Sequence, residues 1–197
     1  MNSVDLFKKR RSRYELTNKL PISEPELEKL IEEVLWQMPS AFNMQSARVV
    51  LLLGEKHKTV WQIAHDALKA IVPVDKFEPT KQKINSFSAA YGTILYLEDE
   101  ETIARLQQTF PAYKENFLTW AQQANGMLQF GIWTALAEKN IGASLQHYNP
   151  LIDKAVKEKF SLPDAWQLVA QMPFGISVGK DTDKTYVPLA ERLLIKK

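Results

Sequence analysis

The chain has 197 residues, 45% of them hydrophobic, with 25 Lys and Arg against 23 Asp and Glu, three His and no Cys. That length suits one well-buried domain, and the near-neutral balance leaves no broad cationic footprint for a nucleic acid or an anionic membrane. Lack of cysteine excludes disulfides, thiolate nucleophiles and sulfur-ligated metals; no apolar run approaches the ~18 residues of a membrane span, the first residues lack the h-region expected of a signal peptide, and the expected compartment is the cytoplasm.

In chain order, residues 3–11 read as a short amphipathic helix that runs into the cluster Lys8-Lys9-Arg10-Arg11-Ser12-Arg13. Such a cluster is either a solvated basic helix end or an anion site, because a guanidinium fork matches phosphate oxygens and a serine adds a donor. Residues 24–33 hold five Glu against one Lys, so the positive charge is local and suits a single phosphate better than a polyanion. Residues 23–37 predict a helix, with Ser23 and Glu26 placed for a capping box, Pro25 in the first turn, and Leu27, Leu30, Ile31, Val34 and Leu35 at helical spacing.

The loop Pro39-Ser40-Ala41-Phe42-Asn43-Met44-Gln45 follows. Its two carboxamides offer uncharged donors and acceptors side by side, the complement of a heteroaromatic edge with alternating N–H and C=O groups, such as the pyrimidine edge of a flavin. Such Pro/Ser/Asn clusters also mark ordinary turns. Arg48–Leu53 predicts a buried strand ended by Gly54, followed by helices over 58–71 and 79–89 and a second strand over 91–97. Residues 115–139 predict a long helix apolar on more than one face, which belongs at the centre of a large core or is shared with a second subunit. A short strand over 141–145, a helix over 149–160 and a long strand over 166–178, kinked near Met172-Pro173, complete the pattern. The remainder, 180–197, is polar with an apolar Leu193-Leu194-Ile195, and is expected to lie across another surface. The order of elements is that of an α/β or α+β protein.

The seven glycines form no G-x-G-x-x-G, and Gly175-Ile176-Ser177-Val178-Gly179-Lys180 is one residue short of a P-loop, with Asp181 where Ser or Thr is required. The three histidines are scattered, His57 and His65 reading as surface or helix residues, and nothing nominates a base for Ser144. An enzyme built this way must borrow its chemistry from a bound cofactor.

Five segments in order resemble the nitroreductase family of FMN-dependent oxidoreductases: Arg10-Arg11-Ser12, Pro39 to Gln45, the apolar helix, Ile141-Gly142-Ala143-Ser144-Leu145-Gln146-His147-Tyr148-Asn149-Pro150, and Lys184-Thr185-Tyr186-Val187-Pro188-Leu189-Ala190-Glu191-Arg192. The resemblance covers nearly the whole chain and is strongest to the subgroup typified by fungal fatty-acid-repression proteins and their bacterial relatives. It implies an α+β fold with a central, mostly antiparallel sheet flanked by helices. It implies one domain over 1–197 and an intertwined homodimer, with 180–197 an arm on the partner and two FMN sites at the interface. Carried over by residue, Arg10, Arg11 and Ser12 would meet the ribityl phosphate and pyrimidine side of FMN. Ser40, Asn43 and Gln45 would reach the ring from the other subunit; Gln146 and His147 fall near its N5/O4 side, and Lys184 and Arg192 are candidates for a further phosphate contact. Many relatives carry a basic residue two places after the serine; here that place is Tyr14, with Arg13 one place earlier. The implied activity is reduction of nitroaromatic or quinone-like acceptors by NADH or NADPH in ping-pong fashion. No side chain is nominated as catalytic and no metal is expected. A flavin-binding sensor of the same fold with little turnover, and a flavin-free interaction protein, are the alternatives.

Overall fold

The computed structural model describes residues 2–179 and 183–197. In chain order the elements are α1 (Ser3–Lys9), β1 (Leu16–Thr17), α2 (Glu24–Gln37), β2 (Ala47–Leu53), α3 (Gly54–Lys69), α4 (Phe77–Ser88), β3 (Gly92–Asp99), α5 (Glu100–Thr109), α6 (Phe117–Glu138), β4 (Gly142–Ala143), α7 (Asp153–Phe160) and β5 (Trp166–Ser177). The sheet runs β1-β5-β3-β2, with β4 also on β5, and every one of these pairings is antiparallel. This is the α+β arrangement implied by the sequence, with helices on both faces.

Strand β3 explains the layering. Ile94, Leu95, Tyr96 and Leu97 are all fully buried, and alternation along a strand sends successive side chains to opposite faces. Ile94 and Tyr96 join Leu27 and Ile31 of α2, Leu128, Ile132 and Leu136 of α6, and Met172 and Phe174 of β5. Leu95 and Leu97 join Val60 and Trp61 of α3, Ile84 and Phe87 of α4, and Val156 of α7. Complete burial of such side chains is worth roughly 1.5–3 kcal/mol each. Gly131 lets α2 approach α6 closely: a Cβ there would lie 2.8 Å from the Met38 sulfur.

Several boundaries differ from expectation for local reasons. The capping box at Ser23 forms, with Ser23 N donating to Glu26 Oε2 at 2.9 Å. Helix α2 stops at Met38, held extended at ψ 125° because Pro39 follows. Gly54, read as a strand terminator, adopts φ +53° and opens α3 four residues earlier than expected. Helix α5 was not anticipated: only Ile103 and Leu106 mark its apolar side, and Asp99 caps it through Oδ1 to the N–H groups of Glu101 and Thr102. The short strand over 141–145 reduces to two residues, and the helix over 149–160 begins only at Asp153. In the β3–β5 ladder the register shift falls between Tyr96 and Leu97, at Val169, rather than at Met172-Pro173. The start of the arm and the end of the rejected P-loop segment, residues 180–182, lie outside the described residues; residues 183–197 are exposed.

His57 lies on α3 as expected of a helix residue, but it is buried. Its Nδ1 meets Thr93 Oγ1 at 2.8 Å and its Nε2 meets the Ser88 carbonyl at 3.2 Å, while Trp61 Nε1 donates to Thr93 Oγ1. A carbonyl only accepts, so Nε2 carries the proton and Nδ1 accepts from the threonine hydroxyl. Burial depresses the His57 pKa to about 4. A depressed pKa contributes stability above the unfolded value, near 6.5, which is lost as pH falls through the folded one. Replacing His57 with Gln should therefore flatten the fall in urea midpoint between about pH 6.5 and pH 4 at fixed protein concentration; an acid slope identical to wild type would show that His57 does not titrate this way.

Candidate functional site

The cationic cluster leaves α1 as an extended segment beside β4. Ser12 bridges Ala143 in parallel, and Arg13 N donates to the Ala143 carbonyl at 2.9 Å. In extended chain, alternate residues share a side, so Arg11 and Arg13 line one cleft of about 220 Å³ together with Lys9, Asn140, Ile141, Gly142, Ser177 and Gly179. Lys9 Nζ reaches the Glu138 carbonyl at the end of α6 at 3.0 Å. Three cations around one small cleft suit a phosphate. Ser12 and Tyr14 are exposed; the arginine one place early thus shares the cleft with Arg11, a placement that period-two alternation could have revealed.

Arg10 is placed differently. Its guanidinium stacks over Trp133 at 4.2 Å and lies 6.0 Å from the Phe130 ring. Burial and the charge of Arg11 depress its pKa, and its Nε is buried with no hydrogen-bond partner. Within one chain this half-buried guanidinium therefore keeps an unmet donor beside Trp133.

The second group is the loop after α2. Phe42, Asn43 and Gln45 adopt φ values of 55°, 50° and 50°, all left-handed and none at glycine. Each such residue costs of order 1–3 kcal/mol and persists only where its surroundings hold it. Here Ser40 Oγ accepts from Gln45 N at 2.9 Å, Asn43 N donates to the Ser40 carbonyl, and Gln45 Nε2 donates to the Asn43 carbonyl at 3.3 Å. The Phe42 ring packs against Phe110, Tyr113, Phe117 and Trp120, with centroids 4.8–5.8 Å apart. The result is an aromatic shelf whose Phe42 and Tyr113 are half exposed.

Ser40 and Gln45 line a cavity of about 290 Å³, walled by Leu35, Met38, Val49, Ala124 and Leu128 and edged by Arg48. Apolar walls with a few placed polar groups are the usual form of a small-molecule site. Asn43 is exposed at the loop's tip. The cationic cleft and this cavity share no lining residue, so within one chain the two predicted groups are not brought together. Gln146 is buried and pairs both main-chain groups with Gln171 (2.7 and 2.9 Å), its Nε2 donating to Ser144 Oγ; it builds the sheet edge next to β4, with His147 exposed beside it. Lys184 and Arg192 lie on the exposed tail and line neither opening. Among the described residues no group of His, Asp or Glu could hold a metal, and no helix is long and apolar enough to cross a membrane.

Next to the cavity, Glu98 is buried opposite Ala47 and accepts from Asn125 Nδ2 at 2.7 Å, with Gln129 Nε2 donating in turn to Asn125 Oδ1. Burial raises the Glu98 pKa, with Asn125 and the Arg48 charge pulling it down by less. A raised carboxyl pKa adds stability only at low pH, and this is lost as pH rises through the folded value. Glu98→Gln should therefore raise the melting temperature at pH 8 and leave it nearly unchanged at pH 4; an equal change at both pH values would contradict a Glu98 carboxyl whose pKa is raised by burial.

An antiparallel sheet between helical layers, with a cationic cleft and a separate apolar cavity edged by Ser40, Gln45 and Arg48, defines an α+β protein with two chemically distinct openings. Residues 7–176 match the model of the nitroreductase family, and the chain belongs to that family. It is 32% identical over 180 residues to the Saccharomyces cerevisiae protein HBN1, covering 90% of this chain and 89% of that one. It is 31% identical over 188 residues to nitroreductase FRM2 of the same yeast, covering 94% and 93%. Among solved structures, nitroreductase CinD from Lactococcus lactis in complex with nicotinic acid is 36% identical, with a TM-score of 0.92 over 100% of both chains.

Proposed function

We propose that the protein is an FMN-dependent NAD(P)H oxidoreductase that reduces nitroaromatic or quinone-like acceptors, of the subgroup typified by the fungal fatty-acid-repression proteins and their bacterial relatives. The subgroup is supported by identities above 30% to two yeast proteins and to the Lactococcus enzyme over nearly full length. The observation that carries the cofactor is the division of labour between the openings: cations where a phosphate needs them, and the Gln45 carboxamide, the Ser40 hydroxyl and apolar walls where a ring needs them. Lys9, Arg11 and Arg13 would hold the phosphate, with the unmet Arg10 donor near the ring system. Ser40, Asn43 and Gln45 would present hydrogen-bond partners to the pyrimidine edge. Bound FMN would supply the redox chemistry, linking oxidation of NADH or NADPH to reduction of the acceptor in two separate half-reactions. The chain's own part is to bind, to orient, to exclude water and to favour the reduced, anionic ring with positive charge and donors.

The aromatic shelf around Phe42 supports flat acceptors, since ring pairs gain roughly 0.5–1.5 kcal/mol beyond burial. Structures of the Lactococcus enzyme have been obtained with 4-nitrophenol and with chloramphenicol. Two openings that do not meet within one chain favour a homodimer in which each flavin is held by both copies. Leu118, Met127 and Phe130 of α6 are exposed, β2 pairs with β3 alone among the described elements, and a groove beside it runs along Leu35, Val49, Leu51 and Leu53. The tail, with exposed Val187, Leu189, Leu193, Leu194 and Ile195, would form an arm on the partner and bring Lys184 and Arg192 towards its flavin.

The purified protein, as isolated or after reconstitution, should show the visible spectrum of bound flavin, release FMN on denaturation and oxidise NADH or NADPH with a nitro acceptor. Arg11→Ala should weaken FMN binding by about tenfold or more, the loss of one charge-assisted contact. No flavin binding after reconstitution would sink the reading; binding without turnover would favour a sensor.

A further inference from the structure

Arg48, on the cavity's edge, joins the end of the carboxamide loop to the start of α5 through its side chain. Its Nη1 donates to the Gln45 carbonyl at 2.7 Å and to the Ala47 carbonyl at 3.1 Å, while Nη2 meets Asp99 Oδ2 at 2.5 Å and Thr102 Oγ1 at 3.5 Å. Asp99 is itself fixed: Oδ1 accepts from Glu101 N and Thr102 N, Oδ2 accepts from the Thr102 hydroxyl, and Asp99 N donates to the Ser46 carbonyl. The guanidinium also lies 5.7 Å from the Trp166 ring. It is thus held by the core on one side and holds the end of the left-handed loop on the other. The loop's other anchor is the Phe42 ring on its aromatic shelf.

We propose that Arg48 is a positioning residue for the cofactor pocket: gripping the Gln45 carbonyl, with Asp99 as counter-charge, it fixes the angle at which Ser40, Asn43 and Gln45 face the bound ring. The inference rests on the flavin reading of the site. Both guanidinium nitrogens that face the loop and Asp99 are already committed, so Arg48 acts through the loop rather than on the ring. The arrangement requires arginine: its planar fork donates in two directions at once, whereas a lysine ammonium is a point charge on a flexible stem. The competing account is that the Arg48–Asp99 pair only stabilises the junction of β2 with α5.

Hydrogen exchange on the flavin-free protein separates the two accounts. Arg48→Lys and Arg48→Ala should speed exchange of the Asn43, Met44 and Gln45 amides, which are bonded within the loop, more than that of the β2 and α5 amides. Asp99→Asn keeps the helix cap and removes the counter-charge, and should act in the same direction more weakly. In the loaded protein Arg48→Ala should raise the FMN dissociation constant about tenfold. At saturating FMN it should shift the flavin midpoint potential to more negative values, because misplaced donors favour the reduced ring less. In a Gln45→Ala background the same substitution should cost less, as coupled positions do not add. If Arg48→Ala does not fold, Arg48→Lys and Asp99→Asn carry the same comparisons. Loop exchange no faster than in β2 and α5, or an unchanged potential with fully additive losses of affinity, overturns the proposal. If the wild type fails to bind FMN, the flavin reading has failed and so has this role toward it; the exchange result then reports only on the clamp.

Discussion

The structure depends on a strand with no solvent face. Burying Ile94, Leu95, Tyr96 and Leu97 completely requires a strand on each edge of β3 and a helical layer on each face. The antiparallel neighbours β2 and β5 meet the first demand; α6 with α2, and α3 with α4 and α7, meet the second. Function follows from where that strand ends. Its last residues, Glu98 and Asp99, cannot take part in an apolar core: Asn125 on α6 donates to Glu98 Oε1 while Oε2 stays buried without a partner among the described residues, and Asp99 is met by the start of α5 and by Arg48. These groups surround the entry to β2, where the carboxamide loop arrives. The polar end of the most apolar strand thus becomes the rigid base of the candidate site.

Helix α6 carries the other half of the argument. Its buried side packs on the sheet, and its outer side offers Leu118, Met127 and Phe130 to solvent together with Phe7 of α1. Under the proposed function, a helix apolar around so much of its surface would find its remaining cover on a second subunit. Its middle and its C-terminal end serve different openings: Ala124 and Leu128 wall the cavity of Ser40 and Gln45, and Ala137 lies in the cleft of Lys9, Arg11 and Arg13. A second copy packed across this helix would supply cover for the apolar face and could complete both openings at once, which ties flavin binding to assembly under the proposed function.

What could be read from the sequence was local in origin. The box of Ser23 and Glu26, the periodicity of α2 and α6, and the buried runs of β2 and β3 are encoded within a few residues of where they act. The arginine cluster and the carboxamide loop were legible as residue types suited to a phosphate and to a ring edge. Geometry set by distant partners was not. No glycine announces the left-handed backbone at Phe42, Asn43 and Gln45; it is held by Ser40, by Arg48 and by rings 68 to 78 positions away. Arg48 read only as the start of a strand, because its partner Asp99 lies 51 residues on. Arg10 read as equivalent to Arg11, and only the packing of α1 on α6 shows one stacked on Trp133 and the other in the cleft. Gln146 read as lying near the ring by its place in a motif, and its main-chain pairing with Gln171, 25 residues on, was not visible in the sequence.

The central claim is that each flavin site is assembled from two copies, the cationic cleft of one and the carboxamide loop of the other. Mixed dimers test it most directly. Arg11→Ala and Asn43→Ala are prepared as separate homodimers, each impaired at both sites, then unfolded and refolded together with FMN. Random assortment gives about half mixed dimers, each with one doubly altered site and one built wholly from wild-type contacts. The account predicts recovery of FMN binding and activity to about a quarter of the wild-type value per protomer. Verified mixed dimers with no recovery would contradict it, placing both residues in a site contained within one chain or removing one of them from the flavin.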